Sequence, residues 1–510
     1  MSLRLRPLLA LVAFGAAVAT ATPARADEAS DVLAKHKAFV GWQMDDGAIR
    51  SLQLDGTIRR RNADGTDTAV EQVQELDISL YYRSVGRQAS SGAGGATGFD
   101  PQRFWFTAGG FAVPDVSDDR GAIFARRLVF DEGVGILHPV VRSHEQLDGT
   151  AVVVLRGAAP AWKPIDVYAD AASGAFKQFV YDPDSAHPTA VVIDAYADAL
   201  PGKKVVSAWH MVGSPLRTAM TTIVANPHLT SADIQPPPSQ ATWTFAGGKP
   251  MPLDVTGAGM YLNATINGVT GRFLVDTGSD STIVTDRFAD RAGLKREGAT
   301  EFIGITGVTK ASSYAHATIS FADGSVLRDA TVYTGLAAEV RVDGLLGFDF
   351  LAGTIADFDL DHARVTLYDP AAVEPNQGPD SATMIVDLRT TKPRFPVSLD
   401  GDISSTAFLD TGATASEMAI SDSLFKRVPI DTTRTNVYAH TGASGGEVDE
   451  RCGIIAQIGV GAMTYTNPSV CFAHWVPTGE TVLGYGFFRH FNATFDYQDA
   501  KIVLERRKGG

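Results

Sequence analysis

Over most of the chain, apolar and polar residues alternate with a period of two, in short runs bounded by Gly, Asn, Asp, Ser and Pro. That is the pattern of half-buried β-strands joined by tight turns. Before residue 235, "ISLYYRSVG", "FKQFVYDPD" and "KVVSAWHMVG" follow it and predict an antiparallel meander. One helical periodicity precedes them, near "ASDVLAKHKAFVGW". Two breaks punctuate the chain: "IQPPPSQ" at 234–240, where consecutive prolines suit neither a helix nor a central strand, and "DPAAVEPNQGPDS" at 369–381. They divide it into a β block at 27–235, a linker at 236–249, a segment at 250–370, a linker at 371–381 and a segment at 382–507.

The last two segments repeat one pattern. "YLNATINGVTGRFLVDTGSDSTIV" predicts a strand, a Gly-containing turn and a second strand running into Asp276, and "FPVSLDGDISSTAFLDTGATASEM" repeats that order up to Asp410. Downstream, "VDGLLGFDFLAGTIADFDLDHARVTLYD" and "ETVLGYGFFRHFNATFDYQDAKIVLE" each give two apolar residues, a glycine, a short amphipathic turn and two strands. Leu346-Gly347 and Leu483-Gly484 hold nearly the same spacing from their aspartates, so the two copies stay in register.

Composition narrows the functional classes. Of 510 residues, 45% are hydrophobic and 20% charged, as in a globular protein with several cores. A formal net charge of −14 with no basic block gives no support to nucleic-acid or anionic-membrane binding. Residues 1–26 carry a basic start ("MSLRLRP"), an apolar stretch and "ARA" before Asp27, the arrangement of a cleavable signal peptide. No later run is long and apolar enough to span a bilayer, so no integral membrane segment is expected after cleavage. Cys452 and Cys471 are the only cysteines; a local disulfide and two buried thiols both fit their placement. Histidine and cysteine spacing matches no metal motif, and no cofactor is expected.

Asp-Thr-Gly-Ser/Ala after an apolar strand, with hydrophobic-hydrophobic-Gly about 70 residues on, resembles the pepsin and retropepsin-like aspartic peptidases. The likeness covers about 260 residues and occurs twice in tandem, each copy with its own Leu-Gly. It implies two β-barrel lobes of the acid-protease fold, related by a pseudo-two-fold axis within a monomer, acting on a peptide or protein substrate.

The chemistry accounts for the doubling. Two carboxylates about 3 Å apart cannot both ionise, so they share one proton, and one acts as base while the other acts as acid. Asp276 and Asp410 are the expected pair. The resemblance implies that Thr277 and Thr411 hydrogen-bond across the copies. Gly278 and Gly412 allow close backbone approach to the carboxylates. Ser279 is able to donate to the Asp276 carboxylate, whereas Ala413 is not. Asp280 stands where retroviral relatives carry a substrate-contacting Asp, and its reading stays open between a substrate contact, a solvated carboxylate and a third charge near the pair. The Arg that those relatives place after hydrophobic-hydrophobic-Gly is absent, with Phe348 and Tyr485 in its place. "FIGITGVTKASSYAHATI" at 302–319, with Gly304 and Gly307 near a hairpin tip, is the candidate substrate-covering flap; "YAHTGASGGEVDERC" at 438–452 is its counterpart.

The 27–235 block shows no catalytic constellation, and His36, His138, His144, His187 and His210 are scattered along it. One helix followed by a long meander faintly resembles the half-barrel of periplasmic lipoprotein carriers, an architectural likeness only. The expectation is therefore a mainly β, exported aspartic endopeptidase, periplasmic or secreted. A periplasmic peptide or lipid carrier with protease-like lobes is the alternative.

Overall fold

The computed structural model describes residues 23–508 apart from 45, 79–80, 89–93, 101–102, 118–119, 160–161, 256–258, 305–306, 337–340, 374–379, 415–416, 432, 434–436 and 442–446. The leader expectation at 1–26 lies almost wholly outside the described residues. The chain is mainly β, and it divides into two compact units. One holds residues up to Val70 together with Gly121–His228. The other holds Glu71–Arg120 and Leu229 onward. The stretch read from sequence as one 27–235 block is thus shared between them.

In the first unit, seven strands from Val140–Leu147 to Leu216–Ala225 form an antiparallel meander, and Ser51–Arg61 adds to its last strand. The helix Pro23–Val40 is pinned by its polar and aromatic side chains. His36 stacks on Phe176 and places its two ring nitrogens 2.8 Å from the Gly174 carbonyl and 2.5 Å from Glu132 Oε2. Just beyond the helix, the Trp42 indole N–H donates to the Lys204 carbonyl.

The second unit takes in the strand Asp67–Ile78 from Glu71 onward and the four antiparallel strands that follow it in sequence order, ending with Phe111–Pro114. Phe106, Phe111 and Val113 from this meander join the same apolar core as residues of 250–507. Burying three such side chains contributes about 5 kcal/mol or more, and polar ties reinforce it. Gln498 donates to the Ala112 carbonyl, and the Arg389 guanidinium grips Asp115 through Nε at 2.8 Å and Nη2 at 2.6 Å.

The segments at 250–370 and 382–507 use matching strand pairings. Tyr261–Ile266 pairs with Val269–Val275, and Arg394–Leu399 with Ile403–Asp410, both antiparallel hairpins. Gly344–Leu346 runs parallel to the first aspartate-bearing strand and Glu480–Gly484 to the second. Their closing strands follow a pattern that local sequence does not disclose. Ile355–Asp359 pairs with Phe491–Asp496, so both halves contribute to one six-stranded sheet with Met251–Pro252 at one edge and Ser381–Ile385 at the other. Phe358 and Phe495 meet edge to face across that junction.

Candidate functional site

Each aspartate sits where its strand ends against a parallel neighbour. Asp276 N–H donates to the Leu346 carbonyl at 3.0 Å, and Asp410 lies opposite Gly484 in the parallel register. The Leu-Gly turns are fitted to the two loops. Phe348 N–H donates to the Ser279 carbonyl and Tyr485 N–H to the Ala413 carbonyl, each at 2.9 Å. A Cβ on Gly347 would collide with the carbonyls of Ser279 and Ser281, so no larger residue fits there. Leu346 and Leu483 are fully buried and anchor the turns from below.

The two loops are locked to each other through their threonines. Thr277 N–H donates to Thr411 Oγ1 (3.1 Å) and Thr411 N–H to Thr277 Oγ1 (3.0 Å). Each hydroxyl then donates at 2.7 Å into the opposite strand, Thr277 to the Leu409 carbonyl and Thr411 to the Val275 carbonyl. All four bonds are buried, so losing one leaves an unpaired group at a cost of about 1–3 kcal/mol. This lattice seats the Asp410 carboxylate against Gly278 and the Asp276 carboxylate against Gly412, each beside the opposite loop.

The glycines make that approach possible. A Cβ on Gly278 would overlap the Asp410 carboxylate, and one on Gly412 the Asp276 carboxylate. Their N–H groups also point at their own loop's aspartate, Gly278 to Asp276 Oδ1 at 2.9 Å and Gly412 to Asp410 Oδ1 at 3.0 Å. Asp410 receives a second N–H, from Ala413 at 3.1 Å.

Burial raises Asp276 well above the ordinary carboxylate range, and the facing Asp410 charge adds to this. Asp410 is also raised by burial, but the Lys392 charge, a hydrogen bond with Asp276 and the two backbone donors oppose the rise. Facing each other in a buried site, the two carboxyls titrate as a pair that holds one proton between them. Such a pair can take a proton from water at one oxygen and deliver one to a carbonyl from the other.

Some expected contacts take another form. Ser279 does not donate to Asp276. Its hydroxyl turns to the Ser281 carbonyl at 2.8 Å, an acceptor packed against Gly347. Asp280 is exposed and accepts a hydrogen bond from the Thr391 hydroxyl. Gly304 and Gly307 face each other at the end of the antiparallel hairpin Gly298–Gly304/Gly307–Phe321, whose two tip residues lie outside the described residues. The counterpart hairpin pairs Val437–Thr441 with Glu447–Ile454. Cys452 and Cys471 occupy opposed positions on adjacent antiparallel strands and form a disulfide. Among the described residues, no cluster of three or more His, Cys, Asp or Glu is placed to hold a metal, and no helix is long and apolar enough to cross a membrane.

Sequence reading missed two residues at or near this site. Lys392 stands in a Pro-flanked segment with no motif around it. Asp349 follows the Leu-Gly turn and is buried, accepting bonds from the Thr282 hydroxyl (2.8 Å) and the Phe350 N–H (2.9 Å) on one oxygen. Burial raises it to about 6. The only signal for Asp349 was a charge inside the apolar run "LLGFDFLA".

A family model described as aspartyl protease matches residues 262–350, the stretch carrying Asp276 and the first Leu-Gly turn. That region is aspartyl protease-like. Among curated proteins, none matches the chain. Among solved structures, a DUF1329 family protein from Desulfovibrio piger is similar over 41% of this chain and 97% of its own, with 10% identity and a TM-score of 0.29.

Proposed function

We propose that the protein is an aspartic endopeptidase whose dyad is Asp276 and Asp410, one from each of two lobes at 250–370 and 382–507, completed within a single chain. The observation that carries this reading is the reciprocal threonine lattice, which keeps two carboxylates in contact although like charges repel. An ordinary structural site gains nothing from that arrangement, whereas water activation requires it.

In the proposed cycle, the ionised carboxylate takes a proton from water as its oxygen bonds to the scissile carbonyl carbon. The protonated carboxyl gives its proton to the carbonyl oxygen as the π bond breaks, leaving a neutral tetrahedral diol. Collapse re-forms the C=O bond, expels the amine with a proton from the dyad, and returns the second proton to the pair. The hairpin at Gly304 and Gly307 serves as the flap in this reading, and Asp280, tied to Thr391, lies at the edge of the substrate path.

The leader at 1–26 and the Cys452–Cys471 pairing support an exported protein in an oxidising compartment, periplasmic or secreted. The test is cleavage of an unfolded protein mixture by the purified chain between about pH 3 and 7, with products read by mass spectrometry. Peptide-bond cutting blocked by a statine-type transition-state mimic is expected. Tight peptide binding with no cleavage at any pH would replace the enzyme with a carrier.

A further inference from the structure

The strands that carry the two aspartates have differing neighbours. In the second half, Arg394 pairs with Phe408, and Leu409 N–H donates to the Pro393 carbonyl at 3.2 Å. The strand ends at Arg394, and its register carried past the Pro393 bond puts Lys392, in a bend, level with Asp410, where opposed residues share a face. The Lys392 ammonium lies 6.0 Å from the centre of the Phe408 ring, the side chain two residues before Asp410 on that face. In the first half, Tyr261 pairs with Leu274, and Val275 N–H donates to the Met260 carbonyl at 2.9 Å. The residue opposite Asp276 is thus Gly259, which carries no charge. Among the described residues, the position level with Asp410 holds a lysine and the one level with Asp276 a glycine, and the Lys392 charge reaches both carboxyls.

Neighbouring charges do not duplicate it. Arg394 also lies over the Phe408 ring, 5.4 Å from its centre, but is paired with Glu480 at 3.3 Å, and Arg389 is committed to Asp115. On the far side of Asp410 stands Asp276, and beyond the paired Gly484 comes the neutral phenol of Tyr485. Asp280 accepts from the hydroxyl of Thr391, next to Lys392 in the chain.

We propose that Lys392 is a charge-positioning residue for the dyad: its ammonium holds the negative charge on Asp410 and leaves the shared proton on Asp276. Asp410 is then the base toward water and Asp276 the acid toward the substrate carbonyl. This rests on the aspartic peptidase reading, which assigns the dyad its role. Among the influences that lower each carboxyl, the Lys392 charge is the largest at Asp410 and smaller than the Gly278 N–H bond at Asp276. A cation beside the pair favours both its singly and its doubly ionised states, so both limbs of the pH–rate profile lie lower than they would without it.

The test compares kcat/KM against pH for the full chain and for Lys392→Met and Lys392→Arg. Lys392→Met is expected to move both limbs up by about one pH unit, with activity retained at the new optimum, and Lys392→Arg to leave them in place. Limbs unmoved in an active Lys392→Met enzyme would overturn the proposal. A second readout needs no turnover. In Asp276→Asn, which leaves one carboxyl, the Asp410 carboxyl carbon is titrated by 13C NMR with and without Lys392→Met. An upward shift of about one unit in the lysine variant is expected, and no shift overturns the proposal even if the protein cleaves nothing. A wild-type chain that cuts no substrate would overturn the peptidase reading alone.

Discussion

Thr277 and Thr411 exchange backbone-to-hydroxyl hydrogen bonds of 3.1 and 3.0 Å, and each hydroxyl also donates into the strand that carries the other's aspartate. Separation of the two loops would break all four bonds at once, so the threonine lattice holds the carboxylates together against the repulsion of their charges.

Replacing Thr277 or Thr411 by Val leaves a buried carbonyl and a buried N–H without partners. The expected loss is about 2–4 kcal/mol of stability, with catalysis falling more than 100-fold as the carboxylates lose their spacing. Serine at either position keeps the hydroxyl and is expected to stay within about tenfold of wild type. Urea melts beside kcat measurements check both halves.

Gly278→Ala and Gly412→Ala test the carboxylate approach from the other side. Each new methyl would occupy space now filled by the opposite loop's carboxylate. A displacement of about 1 Å at the reacting groups costs about 100-fold in rate, so kcat is expected to fall by that factor or more in either variant. Wild-type kcat in both would mean that the carboxylates do not face each other.

Asp349 predicts a pH-dependent stability that its amide analogue lacks. Its carboxyl is raised by burial from 3.8 to about 6 in the folded state. The native protein therefore binds more protons between those values, and stability falls as pH rises through the window. The cost is absent below pH 3.8 and reaches about 3 kcal/mol above pH 6. Asparagine retains an oxygen for Thr282 and Phe350, so Asp349→Asn is expected to equal wild type near pH 4 and to exceed it by about that amount at pH 7.5. Equal denaturation midpoints at pH 7.5 would count against a buried, reluctantly ionised carboxyl.

The reach of the sequence varied with the range of the interaction. The aspartate-bearing strands and the Leu-Gly turns stand out because apolar alternation and small residues are local signals, written twice. The six-stranded sheet joining Ile355–Asp359 to Phe491–Asp496 does not, because its partners lie far apart in the chain and alternation does not name a partner. The strands between 71 and 120 read as part of the N-terminal meander, yet Phe106, Phe111 and Val113 pack with the C-terminal core. Nothing in a period-two pattern tells which core an inward face will join. At the site, Ser279 is a hydroxyl that reaches two acceptors, and its choice of Ser281 follows from packing at Gly347. Lys392 acquires its position only through register with Asp410, which sequence alone does not set.

The most direct measurement of the central claim is the pH–rate profile of peptide cleavage by the full chain beside Asp276→Asn and Asp410→Asn. Two carboxylates sharing one proton predict a bell-shaped profile for wild type and a loss of at least about 1,000-fold in both variants, each remaining folded. Cleavage that survives in either variant would contradict a dyad built from Asp276 and Asp410.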